Sequence, residues 1–240
     1  MNDRKIINII GRGNVGFHLK KAFEGKADVI EVNPHTLGEL NPEADLTLIS
    51  VTDSAIQEVL ARLPELKGAV AHTSGSTPIE IFKRSRDQNF GVFYPLQTFS
   101  RSKALDYAEI PFYIEASDPY TREKLFQYAR LISENVRYAD SSQRKRLHIA
   151  AVFACNFVNH LWALSDSYLK EGGLNFKDLI PLISETVDKI KVIPPSEAQT
   201  GPAVRGDLKM IENHILELGS KDKLINIYRL LSQSILENRK

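Results

Sequence analysis

The sequence predicts an α/β protein: a parallel, doubly wound sheet within residues 1–140, followed by an all-helical part. Three observations carry that prediction. An apolar run near the N-terminus meets a glycine turn and a helix start. Short apolar runs then alternate with helix-like stretches as far as Asp140. Beyond Ser141 no run reads as a strand.

The glycine turn is Gly11-Arg12-Gly13-Asn14-Val15-Gly16, between the run Ile6-Ile7-Asn8-Ile9-Ile10 and a helix-like stretch, Asn14–Phe23. Strand, glycine turn and helix start in this order form the dinucleotide fingerprint of a Rossmann-type sheet. Gly11 permits the tight turn. Gly13 leaves the backbone open to a pyrophosphate, and Gly16 lets the helix pack closely on the strand. Free N–H groups and the positive end of the helix then meet the phosphates.

Asp28–Val32 reads as the second strand. Asn33 stands near the place, about 20 residues past the turn, where an acid would bind the ribose 2′-hydroxyl of NAD. Asparagine does not repel a 2′-phosphate, and Arg12, His35 and Thr36 could help hold one. If the strand ends two residues earlier, Glu31 is that acid instead. The expectation is NADP, with NAD as the alternative. Residues 46–51 form a third strand, and Asp53 is expected to cap a helix over 54–63. A fourth strand ends at His72, before the hydroxyl-rich turn Thr73-Ser74-Gly75-Ser76-Thr77. Ligands of open α/β sheets bind beyond the carboxyl ends of the strands. Val51, Thr52, Thr73 and Ser74 therefore join the candidate cofactor contacts, although serine and threonine also simply build turns. A fifth strand over 91–94 leads into Pro95-Leu96-Gln97-Thr98-Phe99, which offers Gln97 and Thr98. A sixth covers 111–115, and Asp118-Pro119 caps a helix reaching 134.

The rest reads as helices over 142–171, 176–192, 208–218 and 221–238, broken at Gly172-Gly173, Pro194-Pro195 and Gly219-Ser220. The first is apolar nearly all round, through Leu147, Ala151, Phe153, Phe157, Leu161 and Trp162. It is therefore expected to be buried in a core or against another subunit, and the protein is expected to be a homodimer. At about 100° per residue, His148 and Asn159 share a direction, with Asn156 and His160 on the flank. Such a stripe lines a site or forms an internally satisfied hydrogen-bond set. In the loop Thr200-Gly201-Pro202-Ala203-Val204-Arg205-Gly206-Asp207, Arg205 has no local explanation, and its guanidinium suits a carboxylate or phosphate. Asp207 either positions Arg205 or caps the next helix.

Composition narrows the field. The 240 residues suggest two domains, 1–140 for dinucleotide binding and 141–240 for substrate and dimerisation. A net charge of +1 argues against a nucleic-acid partner. One cysteine, Cys155, excludes an internal disulfide and fits a reducing compartment. The apolar stretch 149–164 holds Asn156, Asn159 and His160 and is short for a bilayer. The expectation is a cytoplasmic protein with no membrane partner and no metal site.

These stretches together resemble one family: the Rossmann-like NADP oxidoreductases with a C-terminal domain of unknown function 2520. The quoted motifs are the glycine turn, His72-Thr73-Ser74-Gly75-Ser76, Tyr94-Pro95-Leu96-Gln97-Thr98-Phe99, residues 148–156 and residues 200–207. The resemblance implies a first domain similar to pyrroline-5-carboxylate reductases and deazaflavin-dependent NADP reductases. It also implies a helical second domain like that of 6-phosphogluconate dehydrogenases, which commonly dimerise through it. Where many relatives carry an arginine after the second strand, this chain has Asn33-Pro34-His35. His148 lies in the region where hydroxyacid dehydrogenases place a lysine. The expected activity is hydride transfer between a nicotinamide and a small carbonyl, hydroxyl or imine compound. A non-catalytic dinucleotide sensor is the alternative. The expected catalytic set is His148 as acid or base, Asn156 orienting the substrate, Arg205 holding an anionic group and Asp207 positioning Arg205. An imidazole suits the first role because it titrates near neutral pH. His72 and His214 are rival proton donors.

Overall fold

The computed structural model describes residues 5–84 and 89–238. The chain divides into two compact units, Met1–Phe157 and Val158–Lys240. In the first, the described residues form one seven-stranded sheet. Its strands are β1 (Ile6–Ile10), β2 (Asp28–Val32), β3 (Leu46–Ile49), β4 (Ala69–His72), β5 (Phe90–Pro95), β6 (Phe112–Ala116) and β7 (Val136–Tyr138). The spatial order is β2-β1-β3-β4-β5-β6-β7. β1, β3, β4 and β5 are buried almost throughout. A parallel strand covered on both faces reads as a continuous apolar run, which is why these four are plain in the sequence.

The sheet departs from the all-parallel expectation at one pair. β5 and β6 run antiparallel, with Phe93 opposite Ile114. The loop after β5 returns the chain on the same side of the sheet instead of crossing over through a helix. β7, parallel to β6, was not expected either. It has three residues at a partly exposed edge, too few to show a period.

Helices cover both faces. Ile7, Ile9, Leu46, Leu48, Phe93 and Phe112 pack with Leu19 and Phe23 of α1 (Asn14–Phe23) and with Leu125 and Ala129 of α3 (Pro119–Arg130). Opposite them, Ile10, Ile49, Val70 and Val92 meet Ile56, Val59 and Leu60 of α2 (Ile56–Arg62). Successive strand side chains point to opposite faces, so one strand serves both layers. Asn8 is the polar exception in β1. Its amide donates to the Asn41 carbonyl at 2.8 Å and to Thr47 Oγ1 at 3.0 Å, and its oxygen accepts from Asn41 N–H.

Asp118 caps α3 by accepting from Thr121 N–H, as expected. Asp140 caps α4 (Ser141–Ala151) in a reciprocal box with Gln143. Behind that cap, Glu115 of β6 accepts from the N–H and hydroxyl of Ser141 and from the guanidinium of Arg144. Arg144 also donates to the Thr77 carbonyl at 2.6 Å. Both side chains are buried, 1% exposed for Arg144 and 10% for Glu115. α4 continues through a π-helical turn, Val152–Phe157, which ends the first unit.

In the second unit the described residues are helical: α5 (Val158–Glu171), α6 (Ile180–Val192), α7 (Pro195–Ala198), α8 (Pro202–Arg205), α9 (Leu208–Glu217) and α10 (Asp222–Glu237). Gly173, at φ +72°, takes the left-handed conformation that stops the long helix. Neither α5 nor α6 has a buried residue, and Leu174, Leu182, Val192 and Leu216 are exposed. On the long helix, Ile149, Phe153, Phe157 and Tyr168 are exposed as well, so part of its apolar surface is uncovered among the described residues. By length and composition alone, the continuous helix over 141–171 is long and apolar enough to cross a membrane.

Replacing Glu115 by Leu leaves the Arg144 charge buried without its counter-ion. The expected cost is about 3–5 kcal/mol, read as a lower midpoint in urea denaturation of the variant against the wild type.

Candidate functional site

The carboxyl ends of the strands open into a cleft of about 960 Å³ lined by residues of the first unit. It spans the point where strand order reverses, between β1 and β3, where open sheets take their ligands. One end is the glycine turn. Gly11 has φ +118°, and a Cβ there would run into the Ser50 carbonyl. A Cβ on Gly16 would run into the carbonyl of Gly11. A Cβ on Gly13 would meet nothing within 4 Å, so the space above this residue belongs to the cleft. Gly13 is also the N-cap of α1, with no side-chain cap and no acid in the first turn. The first-turn N–H groups and the positive helix end are left for an anion.

The neighbouring loops are pinned to this turn. Asn14 donates to the Phe99 carbonyl at 3.1 Å, and Arg101 donates to the Arg12 carbonyl. The buried His18 donates from Nε2 to the Ser100 carbonyl and accepts at Nδ1 from the Tyr107 hydroxyl, each at 2.9 Å. After β2, Asn33 Oδ1 accepts from His35 N–H, and Arg62 donates to the carbonyls of Pro34 and His35. Pro34 and His35 line the cleft.

The other end of the cleft holds Tyr94, Gln97, Thr98, His148, Cys155 and Asn156. Tyr94, the penultimate residue of β5, places its hydroxyl 3.3 Å from Nδ1 of His148 on α4. Gly75 makes room for the pair: a Cβ there would lie 2.7 Å from Tyr94 Cζ and 2.8 Å from His148 Nδ1. Burial pushes the Tyr94 phenol up to about 12, against the opposing effect of the Arg144 charge. Cys155 and Asn156 reach the cleft from the π-helical turn, whose extra residue re-aims the side chains of the long helix.

Residues 110–235 match the profile of the domain of unknown function DUF2520. A crystal structure from Bacteroides fragilis, "putative NADP oxidoreductase BF3122", is 38% identical, covers 98% of each chain and superposes with a TM-score of 0.90. The chain belongs to the DUF2520 family. Two more distant structures share the fold. Protein TM1727 of Thermotoga maritima has 23% identity, 97% coverage of each chain and a TM-score of 0.73. A reductive aminase of Aspergillus terreus, solved with NADPH and ethyl levulinate, has 13% identity, coverage of 98% of this chain and 95% of its own, and a TM-score of 0.68. No curated protein matches the sequence significantly.

In this DUF2520 protein the cleft brings together Gly11, Arg12, Gly13, Asn14, Val15, Val51, Thr52, Thr73, Ser74, His148 and Asn156. Gly16 and Asn33 are not among the lining residues: Gly16 packs on Gly11, and the Asn33 side chain builds its own turn. Glu31, the alternative ribose acid, pairs with Lys20. Asp53 is not the cap expected of it. It lies in a 3₁₀ turn, Asp53–Ala55, that leads into α2, and its carboxylate accepts from the Ser76 hydroxyl. Arg205 and Asp207 lie in the second unit. Arg205 is exposed at the end of α8, and Asp207 caps α9 by accepting from Met210 N–H at 3.0 Å.

The rival histidines are engaged elsewhere. His214 is paired with the Tyr228 hydroxyl at 2.7 Å in the second unit. His72 is fully buried, accepts at Nδ1 from Ser74 N–H and stacks on Phe82. Burial, helped by the Arg144 charge, lowers its pKa to about 3, so it stays neutral. Tyr94 carried no role in the sequence reading. As a strand residue it gives no local signal; only the sheet and α4 together set it against His148.

The unfolded chain takes up a proton at His72 that the folded chain refuses between its ordinary pKa of 6.5 and about 3. Its contribution to stability is thus full above pH 6.5 and lost as the pH falls towards 3. His72→Phe, which keeps an aromatic ring against Phe82, should flatten the dependence of stability on pH in this window by up to about 1.4 kcal/mol per pH unit. Urea melts of both proteins across the acid range measure it.

Proposed function

We propose that this protein is an NADP-dependent oxidoreductase acting on a small carbonyl, hydroxyl or imine compound. The observation that carries the reading is one cleft with two complementary ends. An uncapped, acid-free glycine turn faces a tyrosine–histidine pair, in a chain 38% identical to "putative NADP oxidoreductase BF3122". The glycine turn fits a dinucleotide, since the space above Gly13 is open and the helix end is unclaimed. Gly11, Gly13, Asn14 and Val15 would hold the pyrophosphate, and Val51, Thr52, Thr73 and Ser74 would border the nucleotide. Arg12 and His35 would face the 2′-phosphate, with Asn33 and Gly16 shaping the backbone around them. Bound NADPH supplies a hydride.

The chain's own residues do the rest. His148 exchanges a proton with the substrate, and Asn156, which has no side-chain partner among the described residues, orients it. In the second unit, the exposed Arg205 offers a guanidinium suited to an anionic group, and Asp207 caps the helix that follows. A pure dinucleotide sensor would need the glycine turn but no proton-bearing pair in the same cleft. We further propose a cytoplasmic homodimer, in which a second copy covers apolar side chains such as Leu182 and Val192.

Fluorescence titration should show NADPH binding, tighter than NADH because the residue after β2 is Asn33 and not an acid. Gly13→Val should abolish binding by filling the space above the turn. His148→Ala should keep NADPH affinity yet lose about 10²–10⁴-fold in turnover of any carbonyl or imine that the wild type reduces. Absence of binding by the wild type would defeat the reading.

Light scattering at micromolar concentration should give twice the chain mass. Leu182→Glu, placing a charge on the exposed apolar face of α6, should shift the protein towards monomer.

A further inference from the structure

Tyr94 is a buried residue, and its hydroxyl has a single hydrogen-bonding partner among the described residues, Nδ1 of His148. A hydroxyl proton that is buried seeks an acceptor, and a neutral imidazole offers one at its unprotonated nitrogen. If the phenol donates to Nδ1, the ring proton stands on Nε2. That nitrogen has no protein partner among the described residues, on a side chain that lines the cleft. Two further features serve the pair. Gly75 lacks the Cβ that would strike both rings, and Arg144 fixes α4 one turn before His148 while its positive charge acts on Tyr94.

We propose that Tyr94 is a positioning residue that holds the Nε2–H form of His148 and relays a proton through it. The inference rests on the oxidoreductase reading above. As charge develops on a carbonyl oxygen, the Nε2–H bond breaks and an O–H bond forms on the substrate. Nδ1 takes the Tyr94 proton, and the phenolate left behind sits in the field of Arg144 until solvent returns a proton. The Tyr94–His148 pair provides only the proton; the hydride and its electron pair would come from bound NADPH. The phenol holds its proton through the neutral range, because burial keeps it far above its ordinary pKa. The other charged or titratable groups acting on it are Asp53 and Tyr113.

The test is ¹⁵N NMR of histidine-labelled protein, with His148→Gln supplying the assignment. In the wild type, Nδ1 of His148 should resonate as a hydrogen-bonded acceptor and Nε2 as the protonated nitrogen. In Tyr94→Phe, the Nδ1 resonance should move downfield to the position of a free acceptor, with NADPH affinity unchanged. Gly75→Ala, which pushes the rings apart while keeping the phenol, should move it the same way. On any carbonyl that the wild type reduces, Tyr94→Phe should lower kcat by about 10²-fold and leave KM nearly unchanged. An Nδ1 resonance identical in wild type and Tyr94→Phe overturns this proposal alone. A wild type that binds no NADPH overturns the parent reading and, with it, any catalytic use of the pair.

Discussion

The buried pair of Arg144 and Glu115 is the constraint on which the cleft depends. Glu115 sits on β6 and Arg144 on α4, so their bond ties the helix to the sheet. Arg144 also holds the Thr77 carbonyl, fixing the turn after β4. Residues four apart share one helix face, so Arg144 aims His148 at the end of β5, where Tyr94 waits. A charge taken out of water is costly unless every donor finds an acceptor. Here the Nε of Arg144 finds none, while its other nitrogens meet Glu115, Thr77 and Ser141. An apolar pair could fill the same space. It could not fix a strand, a turn and a helix relative to one another through directed bonds.

The two ends of the cleft solve opposite problems. At the glycine turn the structure removes side chains, so that backbone and helix charge face the solvent-filled space. At the Tyr94–His148 end it crowds side chains, with Gly75 as the concession that lets two rings meet. Between them the loop after β5 is held to the glycine-turn side by Asn14 and His18, and its own Arg101 donates to the Arg12 carbonyl. A disturbance at either end is therefore felt along that loop.

Much of this was legible in the residues. The central strands announce themselves because parallel strands buried on both faces must be apolar throughout. The glycine turn shows because only glycine tolerates its backbone and its close approaches. Caps at Asp118 and Asp207 are local, spanning three residues. Asp53 misled for the same reason: a cap and a long-range acceptor have the same letter, and Ser76, its partner, lies on the next strand's loop. β7 and the reversal at β6 were missed, because an edge of three residues has no period and strand direction is set by the connection, not by the strand's own sequence.

By itself, the sequence determined an α/β sheet opening on a dinucleotide turn, a helical second part and an apolar helix whose surface needs covering. These follow from periodicity and from backbone rules that act over a few residues. Only the tertiary structure decided which polar residues meet. It buried His72, gave Asp53 to Ser76, turned Asn33 inward on its own loop and set Tyr94 against His148. Those choices depend on directed contacts between segments tens of residues apart, and no local pattern in the chain encodes a distance of that kind.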